Sequence, residues 1–227
     1  MKPTTRSISG AVLMLAIIPA IIGILACMPV PIGDPERSRI DPEISGVWVW
    51  LDGDDDAFYA FEPYDKRTWL LTGVPVEAGE AVDLANYDLE TYAGLTELIG
   101  NVAVGDDGVT ATEVALYKAW LTKLGGVWFM TWEPKTVFNN ESFSPELWFV
   151  FRLDRPDENT LNLTLLDDDL FDGVAETRRA YERVIKKNAK NEKLYVDDDP
   201  IRFYRVKPEH LDFFEDLAGE VIEYQGP

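Results

Sequence analysis

The sequence predicts a mainly β fold with helices late in the chain (a β-rich α+β fold), its antiparallel strands closed or partly open as a barrel. Three observations carry that expectation. Short alternating or wholly apolar segments, rich in aromatic and β-branched residues, recur from Gly46 to Leu166. Turn signals separate them, and Gly125-Gly126 sits between two long strand-like runs. Helical spacing of apolar residues is confined to the part after Gly173. A long antiparallel series removes its exposed edges by closing on itself.

Gly46-Val-Trp-Val-Trp-Leu51 reads as the first strand, and Ala57 to Phe61 as its partner. Between them, Asp52-Gly53 is a hairpin signal inside an acidic turn. Thr68 to Val76 is the next strand, with Gly73 and Pro75 marking a bulge or an edge. Glu77 to Gly108 alternates poorly and reads as an insertion. Leu116 to Thr122 and Val127 to Trp132 form a hairpin. Leu147-Trp-Phe-Val-Phe151 is wholly apolar, as suits a strand covered on both sides or lining a cavity. Thr160 to Leu166 puts Leu161, Leu163 and Leu165 on one face. Beyond Gly173, Val174, Thr177, Tyr181, Val184, Ile185 and Asn188 share a helix face, and basic residues fill the other. Ile201 to Val206 is a last strand. Pro208 suits the first turn of a short helix that buries Leu211, Phe214 and Leu217 and stops at Gly219.

Charge divides the chain. The 227 residues carry 21 basic and 41 acidic side chains, a net of -20. Residues 1–26 hold Lys2, Arg6 and no acid, so the chain from Cys27 onward has 19 basic against 41 acidic residues, a net of -22. Such a surface repels phosphate backbones and excludes a nucleic-acid binder. One Cys and one His leave neither an internal disulfide nor an ordinary zinc site. Lys2 and Arg6 followed by the apolar stretch Ala11 to Ala26 form an export signal.

At its end, Ile24-Leu25-Ala26-Cys27 resembles the lipobox of bacterial lipoproteins. The resemblance implies cleavage before Cys27, a diacylglyceryl thioether on its sulfur and an acylated new amino terminus. The membrane is then a partner through acylated Cys27. No Asp follows Cys27, which by the same resemblance favours the outer membrane, facing the periplasm, over the inner membrane. An uncleaved transmembrane anchor and an ordinary secreted protein are the competing readings. Met28 to Glu43 contains four prolines and reads as an extended spacer. Residues 27–43 are thus a lipid-anchored tether, and residues 44–227 a single domain.

Gly46-Val47-Trp48 resembles the G-x-W signature of the lipocalin (calycin) superfamily. That resemblance implies an eight-stranded barrel whose Trp closes one end, with an Arg from a late strand packed across it. Arg202 and Arg205 are both candidates. The hairpin from Tyr117 to Trp132 is similar to one in uncharacterised bacterial lipoproteins and implies no activity. A partly open barrel and a curved sheet with helices on one side are the alternatives.

Candidate chemistry is sparse. His210 lies between Glu209 and Leu211 near Asp212, and neighbours this close on a helix diverge, so it reads as a solvated or capping residue. G-x-S-x-G and H-E-x-x-H are absent, and no cofactor, metal or catalytic residue is expected. Abundant carboxylates keep a periplasmic hydrolase as runner-up, with no pair to nominate. The acidic runs Asp52 to Asp56, Asp167 to Asp169 and Asp197 to Asp199 read as solvated turns, with ion binding as the alternative. Counted from Asp52, the sixth and twelfth positions are Ala57 and Pro63, which fails the calcium-loop pattern. Trp48, Trp50, Trp69, Trp120, Trp128, Trp132 and Trp148 all lie on expected strands. They either fill the core or line a cavity for an apolar ligand. Arg178, Arg179, Arg183, Lys186, Lys187, Lys190 and Lys193 face only Glu182 and Glu192 in their segment. Their two readings are pairing with acidic neighbours and contact with anionic lipid or an acidic partner. The expectation is a non-enzymatic envelope lipoprotein that binds a small apolar molecule or an envelope protein, or else a structural module with a filled core.

Overall fold

Strand pairing runs without a break around eight strands and back to the first. The computed structural model describes residues 27–51, 56–79, 82–88, 91–105, 108–111, 114–137, 147–196 and 200–224. The export segment and residues 52–55 and 197–199 of the acidic runs lie outside them. The strands are β1 (Cys27–Met28), β2 (Gly46–Trp50), β3 (Ala57–Pro63), β4 (Trp69–Ala78), β5 (Val109–Ala111), β6 (Ala115–Leu124), β7 (Val127–Val137), β8 (Trp148–Asp154), β9 (Thr160–Leu165) and β10 (Ile201–Arg205). The helices are α1 (Tyr92–Asn101), α2 (Arg178–Asn188) and α3 (Leu211–Tyr224). The order β2-β3-β4-β6-β7-β8-β9-β10 closes because β10 pairs back onto β2, so the result is an antiparallel, lipocalin-like barrel. β1 adds beside β8, and β5 beside the end of β4.

Register decides what faces inward, since neighbours across a ladder share a face. Trp48 pairs with Tyr59, Tyr59 with Gly73, Leu71 with Tyr117 and Ala119 with Trp132. The series continues through Trp132 with Phe149, Phe151 with Leu165, Leu161 with Phe203 and Phe203 with Trp50. These side chains and their neighbours form the interior cluster. The apolar first half of β8, Trp148 to Phe151, is covered on both sides: Phe149 and Phe151 point inward, while Val150 is fully buried outside.

Two further apolar clusters lie on opposite outer walls. One packs Met28, Ile32, Phe171, Tyr181, Ile185 and Leu194 against Phe129 and Val150 of β7 and β8. The other packs α1 and α3 against Val49, Phe58, Val74 and Tyr204. Around the closed order, β3 stands across from β8, so the N-terminal strand and α2 occupy one flank and α3 the other.

Three expectations need correction. Residues 28–43 are not a free spacer. Met28 and Ile32 are fully buried, and the Ile32 carbonyl accepts from Trp120 Nε1 at 2.7 Å and Thr131 Oγ1 at 3.0 Å. Ile40 and Ile44 then pack into the barrel end. Proline here shapes a chain that follows the wall, because isolated apolar side chains find sockets on it. Secondly, α3 runs past Gly219. A methyl carbon there would meet nothing within 4 Å, and the helical cost of glycine, about 1 kcal/mol, is outweighed by burial of Leu217. Thirdly, the stretch from Glu77 to Gly108 is not uniformly irregular: it completes β4 and contains α1, whose Thr91 accepts from Gly94 N at 3.2 Å.

Candidate functional site

The two barrel ends differ. At one end the chain crosses beneath the strands and Trp48 is fully buried. Its indole donates to the Ile44 carbonyl at 2.7 Å. The Arg205 guanidinium stacks over its ring at 4.1 Å. Arg205 also donates to the carbonyls of Ser45 at 2.9 Å, Glu158 at 3.1 Å and Glu43. Register explains the choice between the two arginines. Arg205 pairs with Trp48 and shares its inward face, whereas Arg202 pairs with Asn162, points outward and is exposed. Burial, and then the charge of Arg155, pull Arg205 below its ordinary pKa. Arg155 itself pairs with Asp41 and Glu43 beneath the barrel. This end is a plug.

At the other end the connections β2–β3, β4–β6, β7–β8 and β9–β10 leave the barrel. The inward residues nearest them, Trp50, Tyr59, Tyr117, Phe149, Leu165 and Ile201, are only half-buried. Beneath this ring sits Trp132, 5% exposed. Its ring meets Phe151 at 4.8 Å, Tyr59 and Tyr117 at 5.4 Å and Phe61 at 6.1 Å. Its indole N–H is buried and finds no acceptor among the described residues. An unpaired buried donor costs about 1–3 kcal/mol, so this one stands out in an aromatic cluster.

The seven tryptophans therefore do not share one cavity. Trp48 and Trp69 belong to the plugged end, where Trp69 Nε1 donates to Ser45 Oγ at 3.1 Å. Trp50 and Trp132 belong to the loop end. Trp120 and Trp148 face outward, because Leu121 pairs with Met130 and Phe149 with Trp132. Trp128 has inward parity but lies at the hairpin end, 44% exposed, under Lys123 Nζ. Tyr59, Tyr117 and Phe149 were not singled out from the sequence. Strand parity relative to Trp48 and Trp132 is the signal that finds them.

Outside the barrel, Tyr181 and Ile185 anchor α2, and Arg178, Arg179, Arg183, Lys186, Lys187, Lys190 and Lys193 are all exposed. Arg178 donates to the Gly33 carbonyl at 3.0 Å. Among the described residues no ion pair engages any of these seven side chains. Asp167, Asp168 and Asp169 bring carboxylate oxygens within 4.8 Å of one another. The group is a turn: Asp167 Oδ1 accepts from Asp169 N at 2.8 Å. His210 sits in the turn before α3, facing Gly100 at the end of α1. The inward ring of Trp50, Tyr59, Tyr117, Phe149, Leu165 and Ile201 contains no carboxylate. Among the described residues no helix is long and apolar enough to cross a membrane. No protein-family model, curated protein or solved structure matches the chain.

Proposed function

We propose that the protein is a lipid-anchored envelope lipoprotein of non-enzymatic role, at the outer membrane facing the periplasm, whose barrel takes up a small uncharged apolar molecule from its loop end. The lipobox-like Ile24 to Cys27 supports the anchor and the address. The observation that carries the binding role is the buried Trp132 N–H without an acceptor, beneath a ring of half-buried apolar side chains. A water held there needs two to four polar partners, and the rings around Trp132 offer mostly carbon. A carbonyl, ether or hydroxyl oxygen on an apolar ligand satisfies the donor and buries its chain against Trp50, Phe149 and Leu165. The apolar surroundings disfavour a charged head at that depth. A second reading, a structural or interaction module, draws on the filled half of the barrel, where Trp48, Phe61, Trp69, Leu161 and Phe203 are at most 1% exposed.

Titration with a long-chain monoacylglycerol, followed by tryptophan fluorescence, tests the binding role. Saturable binding is expected, about tenfold weaker in Trp132→Phe, the loss of one hydrogen bond to the ligand. The variant should stay within about 1 kcal/mol of the parent, because loss of an unpaired buried donor offsets the smaller ring's cavity. Absence of saturation in the parent protein leaves the module reading standing.

A further inference from the structure

We infer that the domain lies on an anionic lipid surface along one flank, the flank shared by Cys27 and the outward face of α2. The inference rests on the lipid-anchor reading above and adds an orientation to it.

The chain has no slack after Cys27. Cys27 pairs with Phe149 in β1, and Met28 is fully buried. Ile32 is held by Trp120 and Thr131, and Gly33 N donates to Glu182 of α2 at 3.1 Å. Five residues lie between Cys27 and Gly33, so at most about 22 Å of chain separates the attachment point from the start of α2. An acylated Cys27 therefore brings this flank to the bilayer.

Charge then selects how the flank sits. With Ile185 facing the barrel, the 3.6-residue period puts Arg179, Arg183, Lys186 and Lys187 away from it, and Lys190 follows in the turn after the helix. All five are exposed, and none is in an ion pair among the described residues. The segment from Arg178 to Lys193 is +5 within a chain of -20. Other faces of so acidic a protein are repelled by anionic headgroups, whereas each Lys or Arg near such a surface strengthens attachment about fivefold. Tethering raises the effective concentration, so a weak contact suffices.

The test uses the full acylated chain in vesicles containing phosphatidylglycerol and a nickel-chelating lipid. A nitroxide is placed at Lys187→Cys on α2 or at Asp212→Cys on α3, across the barrel. Cys27 is blocked by its thioether, so each label is unique. The expected result is strong relaxation of the Lys187 label and little of the Asp212 label. The difference should narrow in phosphatidylcholine vesicles, or at about 1 M salt, where screening shortens to about 3 Å and only the tether still holds the flank. Equal relaxation, or more at Asp212, overturns the inference. So does a Lys187 label that stays remote from lipid and is shielded only when envelope proteins are added. Intact mass separates the two failures: a chain without acyl groups on Cys27 overturns the anchor and the orientation together, and an acylated chain with the wrong flank down overturns the orientation alone.

Discussion

Replacing Arg205 with Ala should unplug one end of the barrel at a calculable cost. Arg205 gives three carbonyls a donor and covers Trp48 at 4.1 Å. The bond to Ser45 O is partly buried and charge-assisted, which makes it worth about 1–1.5 kcal/mol. The bonds to Glu43 O and Glu158 O are exposed, and water replaces most of their value, leaving about 0.5 kcal/mol together. Stacking on Trp48 adds about 0.5–1 kcal/mol. The sum is about 2–3 kcal/mol. With a urea slope of about 2 kcal/mol/M, the unfolding midpoint falls by about 1–1.5 M. Arg205→Lys should recover less than half, because one ammonium cannot serve three carbonyls and stack as well. Urea denaturation followed by tryptophan fluorescence measures both variants. A loss below about 0.5 kcal/mol for Arg205→Ala, with an unchanged slope, would refute the plug, because it would mean that water serves these carbonyls equally well.

Trp120→Phe removes a buried donor from the Ile32 carbonyl and should cost about 1–2 kcal/mol. Amide exchange should quicken over residues 28–33 and stay unchanged in β3 and β4; uniform quickening would contradict a local clamp. Gly33→Ala should cost at least about 2 kcal/mol, since φ is +78° and the added carbon would lie 1.6 Å from Thr122 Oγ1. Gly126→Ala, with φ +88° and open space, should cost only about 1–2 kcal/mol, and equal midpoints would refute the close approach at Gly33. Burial raises the pKa of Tyr195, against a smaller opposite pull from Arg152, and burial also raises Tyr92 and Tyr181. The folded state thus holds phenolic protons that the unfolded chain releases from about pH 10. Stability should be intact below that pH and fall as pH rises through the folded-state values, which thermal melts between about pH 8 and 11 would show; a rise would refute the assignment.

Barrel strands were legible because alternation survives wherever one face is packed inside, as at Leu161, Leu163 and Leu165. The closing pair, β10 on β2, was not, since local periodicity says nothing about partners so distant in sequence. Trp120 shows the limit for the site. Its residue type points to an interior, yet the register Leu121 with Met130 turns it outward, where the chain at Ile32 buries it. The same contact hid the fate of residues 28–43. Prolines and isolated apolar residues carry the composition of a spacer, and their sockets are built by β6, β7 and β8. The choice of Arg205 over Arg202 likewise needed register. The unpaired Trp132 donor is a property of packing that no sequence pattern encodes.

Native mass spectrometry of the protein extracted from its own membrane tests the binding role most directly. The account predicts a population heavier than the acylated chain by one neutral apolar molecule, lost on collisional activation and depleted in Trp132→Phe. A single species at the mass of the acylated chain, in the parent and the variant alike, would contradict it.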